Sequence, residues 1–414
     1  MILFFLTSGL FLGWSLGAND ASNIFGSAVG SKMVTFRKAA IIASIFVILG
    51  AVLQGEGASH TLGKLGSVNA LGGSFTVALA AAITIYMMTK FAMPVSTTQA
   101  IVGAIIGWNF FTGNQTDSKT LSQIVATWIT GPVLGAVFAI FLYILLKKFK
   151  RSAQIHLVRF ESYIKSGLIV VGAFGAFSLG ANNIANVMGV FLPSFNLEDL
   201  NLYIITLNSN QQLFLIGGLA IALGIITYSK KVMETVGSNI IELSSEAALV
   251  VVLAQALVLF IFSSSVLSAF MVRIGLPPIP MVPVSSSQVI IGGVLGIGLY
   301  KGARNINFRI LGEIGIGWLA TPVVSGFLAF FSLFFMKNIF GLNVGSKISE
   351  YSGTISQTGS SSIYGGTEVS GIIRYFLLGL LIFGTAGIAY YLLLERKKSR
   401  DKHRSEERFW KNMK

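Results

Sequence analysis

Uninterrupted apolar runs of about 20 residues recur along this chain, and that is the length a helix needs to cross the hydrocarbon of a bilayer. Within hydrocarbon every backbone N–H and C=O must find its partner inside the protein, which leaves little besides helices for such runs to form. The rest of the chain agrees. Of its 414 residues 53% are hydrophobic and 11% charged, with a mean hydropathy of +0.76. Its 46 glycines and 12% aromatic residues suit close helix packing and interfacial belts rather than a soluble core. The expected class is an all-α integral membrane protein.

The formal charge of +14 points to topology rather than to nucleic acid. The basic residues sit in short loops and a tail between spans, and no basic surface interleaved with aromatics is left over to bind nucleic acid. Without a cysteine, the chain has no disulfides, thiolate metal sites or cysteine nucleophiles. The first apolar run starts at Met1 with no basic segment before it and no small-residue cleavage site, so a retained span is expected, not a signal peptide.

The chain is also written twice. "GANDASN" from Gly17 returns as "GANNIAN" from Gly180, an offset of 163. "HTLG" from His60 resembles "ETVG" from Glu234, offset 174. "PVSTTQ" from Pro94 returns as "PVSSSQ" from Pro283, offset 189, and "WITGPVLG" from Trp128 as "WLATPVVSG" from Trp318, offset 190. Four matches in the same order with a growing offset describe a duplication whose second copy took insertions.

Positive charge orients the copies if each hexad is the tip of a re-entrant hairpin. With the N-terminus outside, a span at 2–30 delivers Lys32, Arg37 and Lys38 inside and a span at 39–55 returns. The hairpin at 72–111 stays outside, and a span at 124–146 brings Lys147, Lys148, Lys150, Arg151, Arg159 and Lys165 to the cytoplasm. The second half starts from the opposite side. Spans at 166–192 and 212–228 put Lys230 and Lys231 inside, and the hairpin at 245–299 opens inward beside Lys301, Arg304 and Arg309. A span at 310–336 exits and one at 372–394 returns to the basic tail. Only Lys64, Lys119, Lys337, Lys347 and Arg374 then lie outside, with Lys90 and Arg273 in hairpin arms. The expected architecture is two inverted-topology repeats, each with a broken first helix and a re-entrant helical hairpin, plus an extra C-terminal span. The first repeat covers 1–146, a cytoplasmic basic linker 147–165, the second repeat 166–336, a flexible external loop 337–371, the final helix 372–394 and a cytoplasmic tail 395–414. The expected location is the plasma (inner) membrane.

Each hexad reads as a proline near a helix start followed by hydroxyl caps. The first amides of a helix lack partners and together carry about half a positive charge, so a free helix start at membrane depth is an anion site. Ser96, Thr97 and Thr98 in one tip and Ser285, Ser286 and Ser287 in the other add hydroxyl donors. Gln99 and Gln288 offer an NH2 to an anion or a carbonyl to a cation. Two facing tips would hold a tetrahedral oxyanion without an arginine. The plainer reading, hydroxyls bonded to the preceding helical turn and kinks at Pro and Gly, does not call for the same glutamine twice.

In the first helix of each half, Asn19 and Asn23 share a face, as do Asn182 and Asn186. Asp20 is the sole carboxylate of the pair of motifs, and its counterpart is Asn183. Buried, Asp20 has to be neutralised by a cation or a proton. Carboxamide, carboxylate and unwound backbone carbonyls suit a hard alkali cation, which favours sodium at Asn19, Asp20, Asn23, Asn182, Asn183 and Asn186. Asparagine glue between helices is the competing reading.

Glu56, His60, Glu242, Glu246 and Glu313 fit the membrane boundaries, Trp128 and Trp318 belts or packing. Lys90 either snorkels or lends charge to the first tip. None of the three histidines falls inside a predicted span, and no glycine-rich loop ending in Gly-Lys-Ser/Thr occurs, so neither an intramembrane enzyme nor an ATP-driven pump is expected. A passive anion channel would share the anion site but has no need of a cation cage.

The two asparagine motifs together with the paired hexads resemble the inorganic phosphate transporter (Pit) family, over residues 9 to 336. The resemblance implies a secondary-active symporter of inorganic phosphate, coupled to sodium ions or to protons, built from inverted repeats and forming a homodimer. It assigns functional roles to Asn19, Asp20, Asn182 and Asn183 and to the hydroxyl triplets with Gln99 and Gln288. No organic cofactor is expected. Asn183 departs from the family pattern, where many members carry a second aspartate. Sulfate and arsenate share the tetrahedral chemistry of phosphate.

Overall fold

The computed structural model describes residues 2–90, 95–153, 155–201, 206–239, 244–302 and 308–346. Pro94, Glu242, the final helix at 372–394 and the tail at 395–414 lie outside them. The described chain falls almost wholly in one compact unit, Met1–Asn196 with Leu207–Ser352. A second unit, Leu197–Thr206 with Gly353–Lys414, is described only at 197–201 and 206.

Twelve α-helices run through the described residues. The first half holds α1 (Ile2–Gly30), α2 (Phe36–Gln54), α3 (Glu56–Leu65), α4 (Leu71–Lys90), α5 (Thr97–Thr112) and α6 (Ser118–Ala153). The second holds α7 (Leu157–Met188), α8 (Ser209–Asn239), α9 (Ser245–Ser263), α10 (Ser265–Arg273), α11 (Ser286–Tyr300) and α12 (Phe308–Asn338). Among the described residues seven helices are long and apolar enough to cross a membrane: α2, α4, α6, α7, α8, α9 and α12. α1 is not among them; its polar stretch from Asn19 to Asn23 is buried, so that stretch faces protein. In α6 and α12 only 22% of the apolar window is buried, which puts these two on the outside of the bundle. The protein is a multi-pass helical membrane protein.

The first helices are not broken as the sequence suggested. Both α1 and α7 run unbroken through their polar motifs. The asparagine amides bond to chain outside their own helix, so they do not compete with the helical backbone, and no unwound carbonyls are offered at these motifs.

The two halves exchange packing partners. α1 packs on α8 as α7 packs on α2, and α5 on α12 as α11 on α6. Glycines set these contacts. A Cβ on Gly17 would meet the carbonyl of Ile221 and one on Gly180 that of Val47; Gly224 sits likewise on Trp14 and Gly50 on Phe177. Gly103 lies on Pro322 and Gly292 on Pro132. Partner by partner these pairs carry the offsets of the sequence repeat, 163, 174, 189 and 190. The close backbone approach needs glycine, and membrane helices pack by it. The prolines stand inside α6 and α12, helices whose missing hydrogen bond is tolerated under helix cover. The growth of the offset also has a structural source. The α7–α8 connection holds a short 3-10 helix, Gly189–Ser194, where α1 and α2 are joined directly, and α10 is inserted between the arms of the second hairpin.

After α12 the chain folds back over the first hairpin. Trp108 of α5 donates its indole N–H to the Val344 carbonyl at 2.8 Å, and Asn69 bonds both ways to the Ser346 backbone. The near end of the loop expected at 337–371 is therefore ordered against α4 and α5.

Candidate functional site

Each hairpin tip is a helix start fixed by a serine cap. Ser96 accepts from the Gln99 amide at 3.2 Å and begins α5; Ser285 accepts from the Gln288 amide at 3.3 Å and begins α11. The carbonyls of Ser96 and Ser285 also take the amides of Ala100 and Val289. The amides just before, at Thr97, Thr98, Ser286 and Ser287, belong to the first helical turn and have no acceptor within the helix.

The polar motifs of α1 and α7 reach both tips. Asn19 donates to the Val95 carbonyl at 3.3 Å and to the Asp20 carboxylate at 2.8 Å. Its counterpart Asn182 clasps Val284 twice, donating to its carbonyl at 2.7 Å and accepting its N–H at 3.0 Å. Each helix thus holds the tip of its own half, and then it crosses to the other. Ser286 donates to Asp20 at 2.7 Å and accepts from Asn23 at 3.5 Å. Asn186 donates to Thr98 at 2.9 Å and also to Asn183. All fourteen residues singled out in the sequence, Asn19, Asp20, Asn23, Ser96 to Gln99, Asn182, Asn183, Asn186 and Ser285 to Gln288, are 5% exposed or less. They form one cluster drawn from four separate segments.

Several of their polar atoms are buried with no partner. The acceptors are Gln99 Oε1, Gln288 Oε1 and Asn186 Oδ1; the donors are Thr97 Oγ1 and Asn183 Nδ2. Buried polar atoms are normally hydrogen-bonded, so this mixture of free donors and acceptors suits a ligand set that includes both an anion and a cation. Asp20 is the one carboxylate of the cluster, and neutral oxygens otherwise surround it. Among the described residues no group of three His, Asp or Glu forms a metal centre. The donor set fits a hard monovalent cation better than a transition metal.

Sequence reasoning missed Gln255. It lies in apolar α9, 2% exposed, donates to the Ser286 carbonyl at 3.5 Å, and leaves its Oε1 unpartnered. A lone glutamine within 19 otherwise almost wholly apolar residues was the available signal. The other polar candidates stay apart from the cluster. Glu56 accepts from Asn210, Glu246 pairs with Lys150 at 2.5 Å and Glu313 with Arg309 at 3.2 Å. His60 is exposed, and Lys90 is exposed over the Tyr86 ring. Trp128 and Trp318 are partly buried, each with its indole N–H unpartnered.

Comparison with known proteins points one way. The model of a family described as the phosphate transporter family matches residues 16–329 and 278–401. A protein of Pyrococcus furiosus named as a phosphate permease is 26% identical over 404 residues, covering 80% of this chain and 94% of its own length. One of Methanocaldococcus jannaschii with the same description is 28% identical over 325 residues, covering 78% and 94%. A solved structure described as the sodium-dependent phosphate transporter matches 82% of this chain and 99% of its own with a TM-score of 0.66. At 24% identity that likeness speaks for the fold.

Proposed function

The chain belongs to the phosphate transporter family, a family of transporters and not of enzymes, and from that premise we propose that it imports inorganic phosphate by symport with sodium. Phosphate is held between the two tips, by the free amides of α5 and α11 and the hydroxyls of Ser96, Thr97, Thr98, Ser285, Ser286 and Ser287, with Gln99 and Gln288 alongside. Sodium is held by Asp20 with the carboxamides of Asn19, Asn23, Asn182, Asn183 and Asn186. The name of the structural neighbour supports sodium, as does an oxygen-rich cluster with one carboxylate.

The observation that carries the reading is the bond from Ser286 to Asp20. A serine has one proton to give, so while Ser286 serves the carboxylate it cannot donate to an anion. A cation beside Asp20 takes over the charge and frees that hydroxyl for phosphate. Thr98 is already free to donate, since its oxygen accepts from Asn186. Cation and anion binding are thereby linked through one proton donor, which is a differential interaction of the kind coupling requires.

The packing supports alternating access. Glycine contacts tie α1, α2, α7 and α8 into one block, and tie α5 to α12 and α11 to α6. The hairpins with their outer helices rock against the four-helix block, with the site between. The reciprocal contacts and the distribution of Lys and Arg support inverted repeats, an outside N-terminus and a cytoplasmic tail in the plasma membrane; the homodimer rests on the family resemblance.

Uptake of radiolabelled phosphate into proteoliposomes tests this, with sodium, potassium and proton gradients imposed in turn and sulfate and arsenate as competitors. Uptake should rise with an inward sodium gradient. Stimulation by a proton gradient alone would move the coupling to protonation of Asp20, and uptake indifferent to every gradient would make the protein a passive channel.

A further inference from the structure

The end of α6 carries a basic cleft that plays no part in the transport site. The cleft, of about 440 Å³, is lined by Ile144, Lys147, Lys148, Arg151, Ser152 and Tyr300. Lys147 Nζ lies 5.1 Å from the centre of the Tyr143 ring and 5.5 Å from that of Tyr300. Lys301, just past α11, approaches the same Tyr143 ring at 5.4 Å. The two rings meet edge to face, 5.7 Å apart. Tyr143 is itself 4% exposed and belongs to the core that joins α6, α9 and α11.

Lys147 of α6 and Lys301 at the end of α11 are thus drawn onto one aromatic pair, Tyr143 buried and Tyr300 44% exposed, with Lys148 and Arg151 beside them. Long cationic side chains at a helix end ordinarily snorkel apart into water, whereas here ring faces hold two of them together. The ion pair at this end of α6 is spent elsewhere, on Lys150 and Glu246. Among the described residues no carboxylate pairs with Lys147, Lys148, Arg151 or Lys301. Converging like charges of this kind are relieved by an anion.

The surroundings say which anion. On the turns of α6 just before the cleft, Phe141, Ile144 and Leu145 are 44% to 58% exposed, and Leu299 on α11 is 61% exposed. This apolar strip ends where the lysines begin, at the level where a spanning helix leaves hydrocarbon for the headgroup layer. We propose that the cleft binds the phosphodiester headgroup of an anionic phospholipid, with the acyl chains lying along Phe141, Leu145 and Leu299. A free phosphate ion would use the cations but has no need of the strip. Basic clefts between membrane helices at this level are suited to anionic lipid headgroups. A lipid so held bridges α6 and the exit of the second hairpin.

Native mass spectrometry of the full-length protein, released from micelles holding equal phosphatidylcholine and phosphatidylglycerol, reads the preference directly. The wild type should retain phosphatidylglycerol about tenfold over phosphatidylcholine, and the Lys147→Gln, Lys148→Gln, Arg151→Gln triple variant should fall to near parity. Lys32→Gln with Lys38→Gln, which removes two exposed charges elsewhere, should keep the tenfold preference. An equal loss in both variants would mean diffuse surface attraction and overturn the site. Displacement of the lipid by millimolar inorganic phosphate would overturn the lipid assignment in favour of a free-anion site. If the triple variant does not fold, Arg151→Gln alone should lower the preference at least threefold, and an unchanged preference there contradicts the proposal.

Discussion

Ser286 of α11 donates its hydroxyl to the Asp20 carboxylate of α1 at 2.7 Å, joining residues 266 positions apart and in different halves. Replacing Ser286 with Ala removes the donor that phosphate would receive once a cation sits at Asp20. A hydrogen bond to a charged group contributes about 1.5–3 kcal/mol, a factor of roughly 10 to 100 in an equilibrium constant. Ser286→Ala should therefore raise the phosphate KM at least tenfold in saturating sodium, while sodium still binds. An unchanged KM in steady-state uptake would remove Ser286 from the anion site.

Gly17 and Gly180 sit on carbonyls of the partner helices, Ile221 and Val47. A Cβ there has nowhere to go without moving backbone. Gly17→Ala or Gly180→Ala should destabilise by about 1–3 kcal/mol, the range for overpacking. Gly63→Ala in α3, where a Cβ meets nothing within 4 Å, should be neutral or slightly stabilising. Thermal unfolding in one detergent ranks the three.

Asp117 caps α6, accepting from the Lys119 and Thr120 amides and from the Thr120 hydroxyl. These bonds, the Thr120 hydroxyl first, hold its carboxyl below the usual 3.8. A carboxyl whose folded value is depressed stabilises the fold above its unfolded value and loses that contribution as pH falls through the folded one. The melting difference between wild type and Asp117→Asn should be constant from pH 7 down to about 4 and shrink below 3.8. A difference that grows on acidification would contradict the cap.

Lys38 and Lys119 lie on opposite sides of the membrane if the first hairpin re-enters. The chain has no cysteine, so single cysteines at these positions can be labelled cleanly with an impermeant maleimide in oriented vesicles. Each should react from one face only, and not the same face. Labelling of both from one side would turn the hairpin into an ordinary crossing.

The spans and tips were legible because their signals are long or doubled. A helix, α1, occupies the stretch expected at 2–30, and the hairpins expected at 72–111 and 245–299 bracket α4 with α5 and α9 with α11. Helices α3 and α10, of 10 and 9 residues, gave no such signal, being too short for an apolar run. The continuity of α1 and α7 could not be read either. Asn19 and Asn182 look like helix breakers until their amides are seen to bond to Val95 and Val284, partners set by tertiary packing. Gln255 escaped notice for a related reason: it occurs once, and repetition was what singled out the rest.

The linkage of sodium to phosphate through Asp20 is tested most directly by equilibrium phosphate binding to purified protein across a sodium titration, for wild type and Asp20→Asn. Wild-type phosphate affinity should rise at least tenfold between sodium-free buffer and saturating sodium, potassium having no such effect, and Asp20→Asn should show one weak, sodium-independent affinity. A variant whose phosphate affinity climbs with sodium as steeply as the wild type's would place the coupling ion away from Asp20 and contradict the account.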